Sequence, residues 1–326
     1  MSWWQNLFGK PHRDALERPT TKGQQVRVSE TGRVARIRDL NFSGISYSSS
    51  DKRFRMILKD SFEGRGGHRY SGNGQFMLLK DDVPVYKGEM ERPSDGCVAN
   101  SGHVIIADWG FGDELRSTIY VISPSSEKLV EHRLNANCTV VGISDCGQIA
   151  ACHTANAPNS DGNKFTVFDT KNGTVICCCE LETGWPSSFG FDIEADLVHL
   201  NFSHPVEESF SITTHGDFVD REQWIDSEIG RGNLRLAMKL LGESVPLNEK
   251  RKSDAQRAAK AWELLSEKDS NNSYHAGTWR LHGEIMEVLG DLPKAMRSFN
   301  IALSLDPKVG VKRKIAAMMR SGIVSA

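Results

Sequence analysis

Between Ala276 and Pro307 the chain places large and small residues at intervals that suit a pair of closely packed helices. Trp279, His282, Gly283 and Met286 fall at helical spacing, Gly290 interrupts the run, and Ala295, Phe299 and Ala302 resume it before Pro307. Gly283 and Ala295 lack bulk where two antiparallel helices approach, while Trp279 and Phe299 fill the space around them. The first helix is expected from about residue 276 to 289, with Arg280, Glu284 and Glu287 facing solvent. His282 stands at an otherwise apolar position and is expected inside, or at the seam with the preceding helix. Lys294 and Arg297 fall on the outer side of the second helix.

This 32-residue stretch resembles a tetratricopeptide repeat, whose pattern runs W-x2-L-G-x2-Y, A-x3-F and then Pro. It departs from that pattern at His282, where Leu is usual, and at Met286, where Tyr is. The resemblance implies protein binding on the concave, first-helix side, which makes Arg280, Glu284 and Glu287 candidate protein-binding residues. One repeat cannot bury its own apolar faces, so neighbours are required. Ala258, Trp262 and Leu265 have second-helix spacing, followed by a D-S-N-N link at 269–272. Leu234, Ala237, Met238 and Leu241 recur at helical spacing up to Gly242. Residues 308–321 carry Val311, Ile315, Met318 and Met319 opposite Lys312, Arg313, Lys314 and Arg320, which reads as a polar-faced capping helix. Residues 221–326 are therefore expected to form a TPR-like α-helical array of five or six helices.

Residues 24–220 differ in kind. Short apolar or alternating runs are separated by Gly, Asn, Asp and Ser, the pattern of strands and tight turns. "TVFD" and "TVICCC" flank 170–173, "IYVIS" and "KLVEH" flank "PSSE", and "SITT" and "DFVD" flank His215-Gly216. Phe54, Val104, Ile149 and Leu197 occupy one place in recurring phrases, at spacings of 50, 45 and 48 residues. These phrases resemble WD-like β-propeller repeats, although the G-H and W-D pairs of that family are absent as a set. The resemblance implies a β-propeller-like domain of about four to five four-stranded blades, closed or nearly so, since an open row exposes sheet edges. The segment 24–37, with Val26, Val28, Val34 and Ile37 around Thr31-Gly32, is a candidate hairpin that completes the last blade or starts another. The fold class is thus multidomain β + α, with a tail at 1–23, the propeller-like domain at 24–220 and the helical array at 221–326.

No apolar run approaches the ~18 residues of a membrane span, and the first residues lack the apolar stretch of a secretory signal. Seven Cys, an odd number, all lie in the strand-rich part, with Cys177, Cys178 and Cys179 adjacent on one strand. Neighbours on a strand face opposite sides, which suits free thiols in a reducing, cytoplasmic setting. Charge is uneven. Residues 61–220 hold 23 Asp/Glu against 10 Lys/Arg, whereas residues 1–60 hold 6 against 12 and residues 221–326 hold 13 against 18. An acidic centre argues against nucleic-acid binding by the propeller-like region.

No phosphate loop, nucleophile elbow, H-E-x-x-H or C-x-x-C occurs, so no catalytic residue, cofactor or metal is expected. The Gly-rich phrases at 63–69 and 71–75 lack the strand-to-helix context of a phosphate cradle. His153, His199 and His204 lie on or beside strands, with Cys146 and Cys152 near the first two, and are better read as packed or surface-exposed than as metal ligands. The loop 156–164 around Asp161 lacks the closing Glu of a calcium loop. Asp108, Asp113 and Glu114 form an acidic cluster beside Trp109 and Phe111, and the two aromatics are expected to be exposed as a rim contact patch. At the N-terminus Trp3, Trp4, Leu7 and Phe8 share one helical face followed by Lys10, His12 and Arg13. This segment docks on its own protein, on a partner or on a membrane surface.

The expected function is a non-enzymatic scaffold or adaptor for one or more proteins, with Arg280, Glu284, Glu287, Trp109, Phe111, Trp3 and Trp4 as protein-binding candidates. An enzyme or small-ligand sensor using the propeller's central channel is the alternative, and a nucleic-acid-associated factor acting through the basic termini is a third.

Overall fold

The computed structural model describes residues 24–60, 72–111, 115–244, 251–266, 276–320 and 322. The chain divides into two compact units after Asp220.

Four antiparallel sheets follow one another along the first unit. The first contains β1 (Val28–Thr31), β2 (Val34–Ile37), β3 (Phe42–Ser48), β4 (Phe54–Lys59), β5 (Gly74–Lys80) and β6 (Val83–Met90), paired in that order. The second contains β7 (Pro93–Val98), β8 (Val104–Asp108), β9 (Ser117–Ile122) and β10 (Lys128–Leu134). The third contains β11 (Cys138–Ile143), β12 (Ile149–Thr154), β13 (Lys164–Asp169) and β14 (Thr174–Glu180), and the fourth β15 (Ser188–Asp192), β16 (Leu197–Phe202) and β17 (Glu208–Thr213).

The repeat seen in the sequence has a physical counterpart. Phe54, Val104, Ile149 and Leu197 each open one strand: β4, β8, β12 and β16. The turn before each strand is built alike. Lys52, Gly102, Gly147 and Asp196 adopt left-handed φ values of 63°, 86°, 80° and 58°. Their amides donate to the carbonyls of Ser49, Ala99, Ser144 and Ile193, three residues back, at 2.8–3.4 Å. The two glycines are hard to replace, because a Cβ would meet the buried Phe54 ring at 2.7 Å at Gly102 and the His103 ring at 2.4 Å at Gly147. Gly102→Ala is expected to cost about 1–3 kcal/mol through backbone strain and that collision, measured as a lowered urea midpoint for the β-rich unit.

Apolar clusters fill the spaces between consecutive sheets. Met56, Leu58, Phe76 and Leu78 meet Val98, Val104 and Ile106 between the first and second. Ile105, Ile119 and Val121 meet Val141, Ile143 and Phe168 between the second and third. Phe165 and Val167 meet Val198, Leu200 and Ile212 between the third and fourth. Strand contacts run in the same order, from β3 and β4 to β7, then to β11, then to β15.

Closure is where structure and expectation part. No sheet closes among the described residues, and the hairpin at 24–37 neither completes the last sheet nor starts another. Instead β2 pairs with β3 and widens the first sheet to six strands. Val26, Ala35, Ile37 and Phe42 then cover Ile57, Met77 and Leu79 on that sheet's outward side. At the other end the fourth sheet turns a polar face outward. His199 Nδ1 shares a hydrogen bond with Ser211 Oγ at 3.2 Å, and Asn201 Nδ2 donates to Ser188 Oγ at 3.3 Å. The edge of β17 is covered by the segment after it, where the Ser211 carbonyl accepts from Val219 N at 3.0 Å. A row of sheets whose end faces are covered or polar needs no ring to protect its edges.

The second unit has six helices among the described residues: α1 (Arg221–Gly230), α2 (Leu234–Glu243), α3 (Lys252–Ser266), α4 (Ala276–Val288), α5 (Leu292–Leu305) and α6 (Lys312–Arg320). Asn233 and Asp291 cap α2 and α5, their side chains accepting from Leu236 N and Lys294 N at 3.0 and 3.2 Å. Between α4 and α5 the close approach depends on Gly283, where a Cβ would stand 2.6 Å from the Phe299 ring. Trp262 and Trp279 pack edge to face at 5.9 Å between α3 and α4. Val311, Ile315 and Met318 are buried as α6 joins the array, but Met319 is 62% exposed, so the apolar stripe of α6 is narrower than expected. The D-S-N-N link at 269–272 lies outside the described residues.

Candidate functional site

The hairpin turns at one end of the second and third sheets converge on a cavity of about 480 Å³. His103 comes from the β7–β8 turn, Glu127 and Leu129 from the start of β10, Cys146 and Gln148 from the β11–β12 turn, and Thr170 and Lys171 from the β13–β14 turn. Hydrogen bonds lock the turns together. Ser101 N donates to Asp145 O at 3.1 Å, Thr170 Oγ1 donates to Gly147 O at 2.5 Å, and Ser101 Oγ shares a hydrogen bond with His103 Nδ1 at 2.9 Å. Burial lowers the His103 pKa, so the imidazole is neutral at pH 7. The lining therefore offers one acid, one amine, a neutral imidazole and an exposed thiol. Cys146 Sγ bonds Ser144 Oγ at 3.5 Å, so the thiol and imidazole are not assembled as a nucleophile and its base. Chemically the cavity suits a small polar molecule that presents both charges.

The same end of the unit carries a polar seam across three sheets. Ser50 Oγ lies 3.1 Å from both carboxylate oxygens of Asp145 and accepts from Asn100 Nδ2 at 2.7 Å. Along the inner strands, Tyr47 Oη donates to Asp95 Oδ1 at 3.0 Å and the Arg33 guanidinium lies 5.5 Å from the Tyr47 ring centre. Burial raises the pKa of both Tyr47 and Asp95. This is one paired tyrosine and carboxylate, not the convergence of His and acidic residues that a channel-centred active site requires.

The residues singled out from the sequence are placed differently from expectation. Phe111 is buried and Trp109 half-buried, so they form no exposed patch. Trp109 Nε1 donates to Cys138 O at 2.8 Å, and Arg92 stacks over its ring at 5.5 Å. Asp108 is the cause of this local order: its carboxylate accepts from Glu91, Arg92 and Gly110 N at 3.1, 2.6 and 3.2 Å. That nest pulls the following segment inward. Its supposed acidic partners, Asp113 and Glu114, lie outside the described residues, as do Trp3 and Trp4.

On α4, Arg280 is exposed as expected, but Glu284 and Glu287 are half-buried. Arg280 Nε pairs with Glu284 at 3.0 Å, its Nη1 donates to Val309 O at 3.3 Å, and Glu287 pairs with Lys314 of α6 at 2.6 Å. These residues serve first to lay the next helix against α4. His153 is buried and packs 6.3 Å from Trp185, while the Asp161 carboxylate accepts from Asn135 N of the β10–β11 connection at 2.8 Å. Among the described residues no three His, Cys, Asp or Glu side chains converge as metal ligands. The cavity itself was not anticipated. Its only sequence trace is the recurrence of Gly102 and Gly147 at equivalent turns.

No family model and no curated protein matches the sequence. Among solved structures the chain is similar to the β-propeller domain of Myceliophteria thermophila Cps50 (Swd1), with a TM-score of 0.34 and 10% identity, covering 55% of this chain and 58% of that one. It is also similar to the computationally designed Ika8 protein, with a TM-score of 0.32 and 9% identity, covering 59% of this chain and 48% of that one. The chain thus spans about half the length of the structures it matches.

Proposed function

We propose that the protein is a non-enzymatic scaffold, in which a propeller-like body of stacked sheets and a tetratricopeptide-like helical array recruit other proteins into a complex. The observation that carries this reading is the stacking of α4, α5 and α6. Gly283 admits Phe299 between the first two, and the Glu287–Lys314 and Arg280–Val309 contacts hold the third against α4. Helices added one after another in this way build an extended surface, and α6 adds exposed Lys312 and Arg313 to it beside exposed Arg280. A partner with an acidic segment fits that charge. A cytoplasmic setting accords with seven free cysteines, and no helix among the described residues is long and apolar enough to cross a membrane.

The test is quantitative affinity capture from the native host with the wild-type protein, Arg280→Glu and Lys294→Glu. The α4 variant is expected to lose captured partner at least several-fold, more than the stability change of about 1 kcal/mol from its lost Glu284 and Val309 contacts explains, and that change is read separately as the melting temperature. Lys294→Glu, on the second helix, is expected to capture normally. Equal capture by all three removes α4 from the binding surface. A second reading, a small-ligand sensor, draws on the 480 Å³ cavity between the second and third sheets, whose volume lies in the range of small-molecule sites. It predicts thermal stabilisation of the β-rich unit by zwitterionic metabolites, abolished by Lys171→Glu.

A further inference from the structure

The chain contains two Asn-Gly steps, Asn73-Gly74 and Asn172-Gly173, and the fold sets them in opposite surroundings. An asparagine followed by glycine is open to an intramolecular reaction. The next backbone nitrogen attacks the side-chain amide, and glycine puts no side chain in its way. Attack needs a free backbone N–H and room for the two groups to meet. At Gly74 neither condition is met. Its N–H donates to Glu91 O at 3.1 Å at the start of β5, the residue is buried, and a Cβ there would stand 2.3 Å from Pro93 Cδ.

The second step lies in the turn between β13 and β14, at residues 170–173. Asn172 and Gly173 are both exposed, and Gly173 adopts φ +67°. Its N–H donates to no acceptor among the described residues. The restraint on Asn172 comes from Asp169, whose Oδ1 accepts from Asn172 N at 3.1 Å and whose Oδ2 accepts from Asn172 Nδ2 at 2.6 Å. Both bonds lie on the surface, where water competes for them.

We propose that Asn172 is a self-modification site, at which the folded protein loses ammonia and gains a carboxylate beside its rim cavity. Hydroxide removes the Gly173 N–H proton, the nitrogen attacks Asn172 Cγ, and the bond from Cγ to Nδ2 breaks as ammonia leaves. The cyclic succinimide so formed takes up one water at either carbonyl, giving aspartate or isoaspartate at position 172. No electrons are exchanged, and water is the only other reactant. The product changes the turn in a defined way. The 2.6 Å contact from Nδ2 to Asp169 becomes one between two carboxylates, so an attraction turns into a repulsion at the same place. Thr170 and Lys171 of this turn line the cavity, and Thr170 ties the turn to Gly147 O of the β11–β12 turn. Gly173 packs closely on Leu129 O of a further lining residue, since a Cβ would stand 2.6 Å away, and isoaspartate lengthens the main chain beside that contact. Conversion therefore adds a negative charge next to the cavity's amine and loosens the turn that carries it.

The test is ageing of the reduced full chain at mildly alkaline pH, followed by peptide mapping with mass spectrometry, which reads deamidation as the mass difference between an amide and an acid. Asn172 is expected to convert at least about tenfold faster than Asn73, because Asn73 reacts only through opening of the first sheet. In denaturing urea the two are expected to convert at similar rates, since neither step is then held by the fold. Asn172→Asp, which carries the charge of the aged protein, is expected to speed amide hydrogen exchange across residues 170–173 relative to fresh wild type. Asn172→Gln is expected neither to convert on this timescale nor to exchange faster. An Asn172 that stays intact in the folded chain as long as Asn73, or unchanged exchange in Asn172→Asp, overturns the proposal.

Discussion

Replacing Phe299 with alanine is expected to lower the stability of the helical unit by about 3–5 kcal/mol, the range for removing a fully buried aromatic ring. The ring has no exposure, lies over Gly283 of α4, and has the Lys314 ammonium of α6 5.5 Å from its centre. Three helices therefore share one side chain. Its loss opens a cavity that α4 and α5 cannot collapse into, because the Ala295 and Ala302 side chains near it are already small and buried. Domains of this size are stable by only about 5–15 kcal/mol, so the array should melt near ambient temperature. Hydrogen exchange followed by mass spectrometry checks this: amides of α4–α6 should exchange by global opening of the array, while those of β8 and β12 keep their protection. Loss of protection in both units together would show that they do not fold independently.

The sequence made the repeat legible because two different rules applied at once. Phe54, Val104, Ile149 and Leu197 mark strand starts by hydrophobicity, and the turns before them contain Gly, Asp or Lys in a left-handed conformation. Blade-like sheets follow from that agreement. The ends of the row were not legible, since they depend on which way whole faces turn. His199, Asn201 and Ser211 alternate with apolar residues as any half-buried strand would, and only the assembled sheet shows that their side receives no further sheet among the described residues. Trp109 and Phe111 misled for a related reason. A run of Gly, aromatic and acidic residues reads as an exposed loop, but three backbone amides directed at Asp108 fold it inward. The rim cavity draws on turns about 20 residues apart in the chain, a separation at which composition carries no signal. His282 was legible because a polar residue at an apolar position of a helix requires a buried partner.

That partner makes the pH dependence of the helical unit predictable. His282 Nδ1 lies 2.7 Å from Ser298 Oγ, and the same hydroxyl donates to Lys294 O at 2.9 Å. The imidazole thus shares a hydrogen bond with Ser298 through Nδ1, and Nε2 lies 3.9 Å from the Glu263 carboxylate. Burial then lowers the His282 pKa to about 4, with the Ala259 carbonyl and Asp291 opposing and Lys294 and Arg297 adding to the shift. In the unfolded chain the same group titrates near 6.5. Between these values the unfolded state binds a proton that the folded state refuses. The associated stability is fully present above pH 6.5, falls as the pH drops towards 4, and levels off below that. The loss amounts to about 3 kcal/mol. His282→Leu should remove it, since Leu suits the Trp279–Phe299 surroundings and Ser298 keeps its bond to Lys294, so no polar group is orphaned. Denaturation monitored by α4 and α5 amides at pH 7.5 and 4.5 separates this from His153 in the β-rich unit, whose pKa burial likewise lowers to about 4. The wild-type array should weaken between the two pH values and the variant much less; an equal acid loss in both would place the titrating group elsewhere in the array.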